Sequence, residues 1–128
     1  MSIDGRAEIQ TKLKADSTVL SIVGTYKSTP AIYSIPLMPL KYQGNGVSMY
    51  LSGSKDGGSE LNGTRNTCSC WATDYSTAEA LQEAVYSALN RHSESNDTFF
   101  KCNKLQIISP NEQGGDYLAP VEVLVRKR

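Results

Sequence analysis

The sequence predicts an α+β domain in which two or three helices pack on one face of a mainly antiparallel sheet. Three observations predict this class: several segments alternate apolar and polar side chains, turn residues join most of them, and one stretch carries a helical apolar stripe. Strands joined by turns favour antiparallel pairing, which leaves one face for helices. The 128 residues show no repeat, so we expect a single domain over residues 1–128.

The composition is that of a globular protein with balanced charge. Hydrophobic residues make up 39% and charged residues 20%, and 13 basic residues match 13 acidic ones. A dedicated nucleic-acid-binding domain usually has a basic excess, so this balance argues against that class while permitting self-association. No apolar run is long enough for a membrane span or a signal peptide. The odd number of cysteines then predicts reduced thiols in a cytoplasm-like compartment.

The first third of the chain predicts two helices and an extended arm. A first helix covers residues 3–15, and residues 16–17 supply the N-cap of a short second helix over residues 18–23. The second helix is nearly all apolar, so we expect it to be buried and to end at Gly24. Three prolines within residues 29–43 predict an edge strand or extended arm, because proline cannot donate to a sheet ladder.

Two strands with a long loop between them are predicted next. Residues 42–52 place Val47 and Met49 on one face and Ser48 and Tyr50 on the other. The following segment, residues 53–63, contains four glycines and a single apolar side chain, which predicts a flexible loop. Loops of this length are often functional.

The middle of the fold is predicted by a short strand that runs into a helix. Cys68 and Cys70 alternate with outward-facing residues, and the strand ends near residue 72. Ser76 and Glu79 have the S-x-x-E spacing of a capping box, and Tyr75 is placed for a hydrophobic staple. The helix that follows has one apolar stripe, formed by Ala78, Leu81, Val85, Ala88 and Leu89.

The last third predicts two strands. After a polar connection over residues 91–97, residues 98–108 read as a strand, and a turn over residues 110–115 leads to a closing strand over residues 117–125.

No catalytic set, cofactor site or metal site is predicted. Cys68, Cys70, Cys102 and His92 give at most four ligands, and their spacing does not match the usual zinc patterns. We interpret the cysteines as small buried hydrophobes and His92 as a helix-capping or solvent-exposed residue. The glycine-rich loop lacks the order of residues that a phosphate-binding loop requires.

Partner contact is predicted for aromatic and charged residues instead. Seven tyrosines exceed the other aromatic residues, and tyrosine is enriched at protein interfaces. The basic C-terminus is interpreted either as a solvated end that keeps the sheet edge soluble or as a contact with phosphates or an acidic partner. The predicted contact residues are Tyr33, Tyr50, Lys55, Asp56, Arg126, Lys127 and Arg128.

Four pieces of the chain resemble the tail terminator proteins of long-tailed bacteriophages, also called tail-completion or tail-to-head joining proteins. They are residues 16–24, the proline-containing residues 31–42, residues 68–89, which match best, and the closing residues 115–125. The chain departs from the family pattern in residues 26–29 and 53–63, and both segments are plausible contact regions.

The resemblance implies a virion structural protein that is not an enzyme. Members of that family form rings, usually hexameric, at the head-proximal end of the tail tube. They bind the tube and the connector on the capsid. DNA that passes through the ring without sequence specificity is a further implied partner, and the implied locations are the virion tail or neck and, during assembly, the host cytoplasm. The alternatives are a head-completion or stopper protein of the neck, and a small non-viral metal- or ligand-binding domain.

Overall fold

The fold is taken from a computed structural model that describes residues 6–34, 44–54, 62–90, 98–110 and 116–127. In chain order the elements are α1 (Arg6–Lys14), α2 (Ser17–Ile22), β1 (Thr25–Tyr26), β2 (Thr29–Pro30), β3 (Ile32–Tyr33), β4 (Gly46–Ser54), β5 (Asn62–Ala72), α3 (Tyr75–Leu89), β6 (Thr98–Lys104) and β7 (Tyr117–Lys127).

The main sheet has five strands in the order β3-β4-β5-β7-β6. Its pairs are antiparallel except β3–β4, which is parallel. Helix α3 lies across β5, β6 and β7, and α1 and α2 pack against α3. The face toward α3 is called the inner face below, and the opposite one the outer face. This arrangement confirms the predicted α+β class.

One hydrophobic core joins the inner face to the helices. The alternation along β5 and β7 directs Cys68, Cys70 and three valines to this side, and all five side chains are fully buried. The predicted stripe of α3 is buried against them. Phe100 of β6 is the largest fully buried side chain. The core therefore lies where the alternation and the helical stripe predicted it.

The N-terminal helices partly follow the prediction. Ile9 and Leu13 of α1 are buried. Asp16 caps α2, because its Oδ1 accepts a hydrogen bond from the Val19 N–H at 3.0 Å. The expectation that the second helix is buried is confirmed only in part: Val19 and the following Val23 are buried, but Leu20 is 37% exposed. A six-residue helix at the domain surface has room for only one buried stripe.

The predicted capping box of α3 is wrong. The helix begins at Tyr75, and its N-cap is Asp74, whose Oδ2 accepts from the Thr77 N–H at 3.1 Å while its Oδ1 accepts from the Thr77 hydroxyl at 2.8 Å. Aspartate and serine are comparable N-caps, and the negative charge of aspartate also suits the helix N-terminus. Tyr75 is half exposed and meets the Tyr117 ring edge-on at 5.9 Å, so it does not form the predicted staple.

The strands on both sides of the glycine-rich segment reach further into it than predicted. Strand β4 extends to Ser54 and β5 begins at Asn62, so both ends of the predicted loop belong to strands. Ser54 pairs with Thr64. The rest of that loop (residues 55–61), the connection with His92 (residues 91–97) and the turn at residues 111–115 lie outside the described residues.

Strand β6 is shorter than the predicted strand because of the residue it meets on β7. The Leu105 N–H donates to the Pro120 carbonyl at 3.1 Å, as in a ladder pair. Proline has no N–H to return the second bond, so the Leu105 carbonyl loses its ladder partner. Regular pairing stops at Lys104, and only an isolated bridge from Ile108 to Leu118 follows.

Helix α3 supplies the missing donor. The side-chain amide of Gln82, which is buried, donates from Nε2 to the Leu105 carbonyl at 2.8 Å and to the Pro120 carbonyl at 2.9 Å. A polar residue therefore sits among the apolar ones of the helix because it satisfies a carbonyl that the strand partner cannot. These two bonds tie α3 to the point where β6 leaves β7.

Candidate interaction surfaces

The outer face of the sheet carries no helix among the described residues, and the strand register arranges its side chains in rows. One row crosses β6, β7 and β5 as Lys101, Leu124 and Arg65. The next row is Asn103, Glu122, Thr67 and Tyr50, and a third is Pro120, Ser69, Ser48 and Tyr33. The outer face therefore changes from charged to aromatic and hydroxyl-bearing along the strands.

The aromatic part of the outer face is built on buried hydroxyls. Ser48 is fully buried, and its Oγ accepts a hydrogen bond from Trp71 Nε1 at 2.8 Å. Ser69, the register partner of Ser48, is also buried. Small side chains at these positions let the larger Trp71 lie over them, and the indole N–H obtains the partner that it requires.

The charged part of the outer face forms a groove. Arg65 Nε lies 3.6 Å from Glu122 Oε2, and both side chains are partly exposed. Lys101 is exposed on the other side of Leu124 and forms no ion pair within the described part of the chain. The groove has a volume of about 310 Å³ and is lined by Arg65, Lys101, Cys102, Asn103, Glu122 and Leu124. Two cations and one carboxylate make it net basic.

The exposed side of α3 has the opposite charge. Asp74, Glu79 and Glu83 are all exposed along it. Lys104 donates to Glu83 Oε2 at 2.7 Å and lies 5.1 Å from the centre of the Tyr86 ring. The hydrogen bond to Glu83 raises the pKa of Lys104, so that side chain stays cationic. Three carboxylates against one ammonium leave this surface net acidic, on the side of the domain away from the outer face.

The predicted tyrosines lie on neighbouring strands of the outer face. Tyr33 is opposite Ser48, and Tyr50 is the next outer-face residue along β4. Tyr50 is 36% exposed. Tyr33 is half-buried, and its hydroxyl has no hydrogen-bond partner among the described residues. Burial, followed by the nearby Tyr26, raises the pKa of Tyr33. The structure brings these two predicted residues together.

The other predicted contact residues lie elsewhere or outside the described part. Arg126 and Lys127 are at the end of β7, where Arg126 pairs with Gly63. Six residues of β7 separate Arg126 from the row of Tyr33, which is about 20 Å along the strand. Lys55, Asp56 and Arg128 lie outside the described residues. The basic C-terminus is therefore near the Arg65–Lys101 groove and far from the tyrosines.

The cysteines are core residues, as the sequence predicted. Cys68 and Cys70 are fully buried, Cys102 is nearly so, and all three thiols are free. Burial raises the pKa of each thiol, that of Cys102 to about 12. They are therefore protonated at neutral pH and act as small apolar side chains. Among the described residues, no group of three His, Cys, Asp or Glu side chains has a metal-binding arrangement.

The groove residues Arg65, Lys101 and Glu122 were missed by the sequence analysis. Arg65 is in phase with the outward-facing residues of β5, so extending the alternation toward the N-terminus would have placed it on the outer face. Placing Lys101 and Glu122 near Arg65 requires the strand order, in which β7 lies between β5 and β6, and the sequence alone does not give that order.

Among the described residues, none of the helices has the length and apolar character that a membrane span requires.

The geometry defines an α+β fold whose five-stranded, mostly antiparallel sheet has helices on one face and, within the described residues, no helix on the other. No protein-family profile and no curated protein matches the sequence. Among solved structures, the fold is similar to that of a chain described as the virion of a native gene transfer agent (GTA) particle. The TM-score is 0.65, with 21% identity over 97% of this chain and 94% of that chain. The likeness establishes a shared fold.

Proposed function

We propose that this protein is a structural subunit of a virion, in a particle of the tailed-bacteriophage type. The observation that carries the proposal is the likeness of fold to a virion chain over nearly the whole length of both proteins. A match that covers 97% of one chain and 94% of the other includes the sheet and all three helices. Because a shared fold alone does not imply a shared function, the proposal also rests on the charged surfaces and on the sequence resemblance.

Within that class we propose a tail terminator, a subunit of a ring, hexameric in the related family, at the head-proximal end of the tail tube. The sequence block that most resembles that family, residues 68–89, forms β5 and α3 at the centre of the fold. A ring subunit needs two different interfaces, and the domain has two oppositely charged faces. Its proposed partners are further copies of itself, the tail tube protein and the connector or stopper on the capsid, with DNA passing through the lumen.

In this proposal the protein acts by binding other proteins and not by catalysis. Its three thiols, the strongest potential nucleophiles in the described chain, are core residues with raised pKa values. Its exposed polar groups are spread over two broad faces, which suits contact between proteins better than enclosure of a substrate.

Particles produced without this protein test the proposal. For a tail terminator, we expect tail tubes of uncontrolled length and heads without tails, and the purified protein should restore both. Tubes of normal length beside heads that leak DNA would instead indicate a stopper of the neck. Normal infectious particles, with no copy of the protein in wild-type virions by mass spectrometry, would refute a virion role.

A further inference from the structure

We infer that neighbouring copies join by docking the exposed surface of α3 of one copy onto the outer face of the sheet of the next. The inference rests on the proposed ring and names the surfaces that close it. The occupant of the outer face is thus a second copy of this chain.

The two surfaces lie on opposite sides of the domain. Helix α3 covers the inner face of β5, β6 and β7, so its exposed side points away from the outer face of the same strands. A contact between two different patches of identical subunits is head-to-tail, and such contacts close into a ring when the rotation between copies permits. A contact in which both copies use the same patch would give only a dimer.

Their charges are complementary. The helix surface holds Asp74, Glu79 and Glu83 with Lys104, and the groove holds Arg65 and Lys101 with Glu122. Charge complementarity fixes partner choice and register at interfaces. The whole chain has no net charge, so repulsion between copies does not oppose this contact.

Lys101 in the groove and Glu79 on the helix surface are the charges that would meet. Lys101 forms no ion pair in the described part of the chain, and neither does Glu79, although Glu83 beside it is held by Lys104. A contact that pairs Lys101 with Glu79 satisfies both groups without breaking an existing pair.

Both surfaces also carry aromatic residues. Tyr50 lies in the same row as the groove residues Glu122 and Asn103 and provides aromatic area there, and Tyr75 provides it on the helix surface. Interfaces are enriched in aromatic residues and arginine at their centre.

Charge reversal tests the inference on the full-length protein. In a contact between identical copies, Lys101→Glu places a carboxylate opposite Glu79, and Glu79→Lys places an ammonium group opposite Lys101. We expect each variant alone to weaken the oligomer about tenfold or more in dissociation constant, by native mass spectrometry over a concentration series. Mixed one to one, they should assemble again, because each interface then pairs opposite charges in an alternating ring.

The double variant and a distant control complete the test. A chain carrying both substitutions should assemble like the wild type, since the proposed pair between positions 101 and 79 is kept with its charges exchanged. Lys14→Glu reverses an exposed charge on α1, away from both surfaces, and should leave assembly unchanged. Equal urea midpoints would show that every variant is folded.

The outcomes separate the inference from the proposed function. If the wild type forms rings but Lys101→Glu and Glu79→Lys assemble normally, or their mixture fails to recover, the docking surfaces are wrong and the ring stands. A wild type that is monomeric at every concentration and in the virion overturns both the ring and the docking.

Discussion

Replacing Gln82 by leucine tests the argument that α3 completes the interrupted ladder at Pro120. Leucine keeps the buried volume but removes the Nε2 donor, so the Leu105 carbonyl loses its bond while the Pro120 carbonyl keeps the Leu105 N–H. Two net hydrogen bonds are worth about 2 kcal/mol, and the added apolar contact returns part of this. We expect Gln82→Leu to lower the free energy of unfolding by about 1–2 kcal/mol.

Urea denaturation followed by circular dichroism measures this loss. With a slope of about 1.5 kcal/mol/M, the midpoint should fall by roughly 1 M with the slope unchanged. The matched variant is Pro120→Ala, which gives β7 an N–H that can bond the Leu105 carbonyl directly. In that background the cost of Gln82→Leu should shrink by about 1 kcal/mol.

Two results would refute the reasoning. A loss below about 0.5 kcal/mol for Gln82→Leu would mean that the buried amide carries no net stabilisation. A cost of Gln82→Leu that is the same with and without Pro120 would mean that the amide does not compensate for the missing proline N–H.

Three further predictions concern the turn, the helix cap and the thiols. Lys27 and Ser28 form the two-residue loop between β1 and β2, and both have positive φ (53° and 68°). Asparagine and glycine adopt positive φ more readily, so the double change Lys27→Asn and Ser28→Gly should raise the free energy of unfolding by about 1 kcal/mol in thermal melts. A loss of stability would refute the turn assignment. Asp74→Ala should cost about 1 kcal/mol and Ser76→Ala almost nothing in urea titrations, and the reverse order would restore the capping box. Burial raises the pKa of Cys102 to about 12, above its unfolded value, so the contribution of the thiol to the free energy of unfolding is complete below about pH 9 and is lost as the pH rises toward 12. Over that window the stability of the wild type should fall more steeply than that of Cys102→Ala, by about 1.4 kcal/mol per pH unit. Equal slopes would contradict the burial of this thiol.

The elements that local patterns determine were predicted well. The stripe of α3 and the valines of β7 each repeat with the period of their element, so their buried sides follow from the sequence alone. The cap of α3 was misassigned because Asp74 and Ser76 are both good N-caps two residues apart, and only the hydrogen bonds decide between them. The end of β6 was missed because it depends on Pro120, a residue on another strand.

The candidate surfaces were predicted less well because they depend on strand order. Tyr33 and Tyr50 belong to strands β3 and β4, which lie side by side, and the sequence analysis named both as contact residues. The groove needs Arg65 and Lys101 on strands separated by β7, which follows both of them in the chain. A single sequence does not specify that β7 inserts between β5 and β6, so the groove was visible only in the fold.

Identical copies of this chain, we propose, build a closed ring in a virion. Electron cryomicroscopy of the purified particle, with the chain located by a fused tag, tests it most directly. We predict one ring of density at the joint between head and tail, into which the fold fits with α3 of each copy against the sheet of its neighbour. Finding the tag absent from intact particles, or on isolated single copies, would contradict the claim.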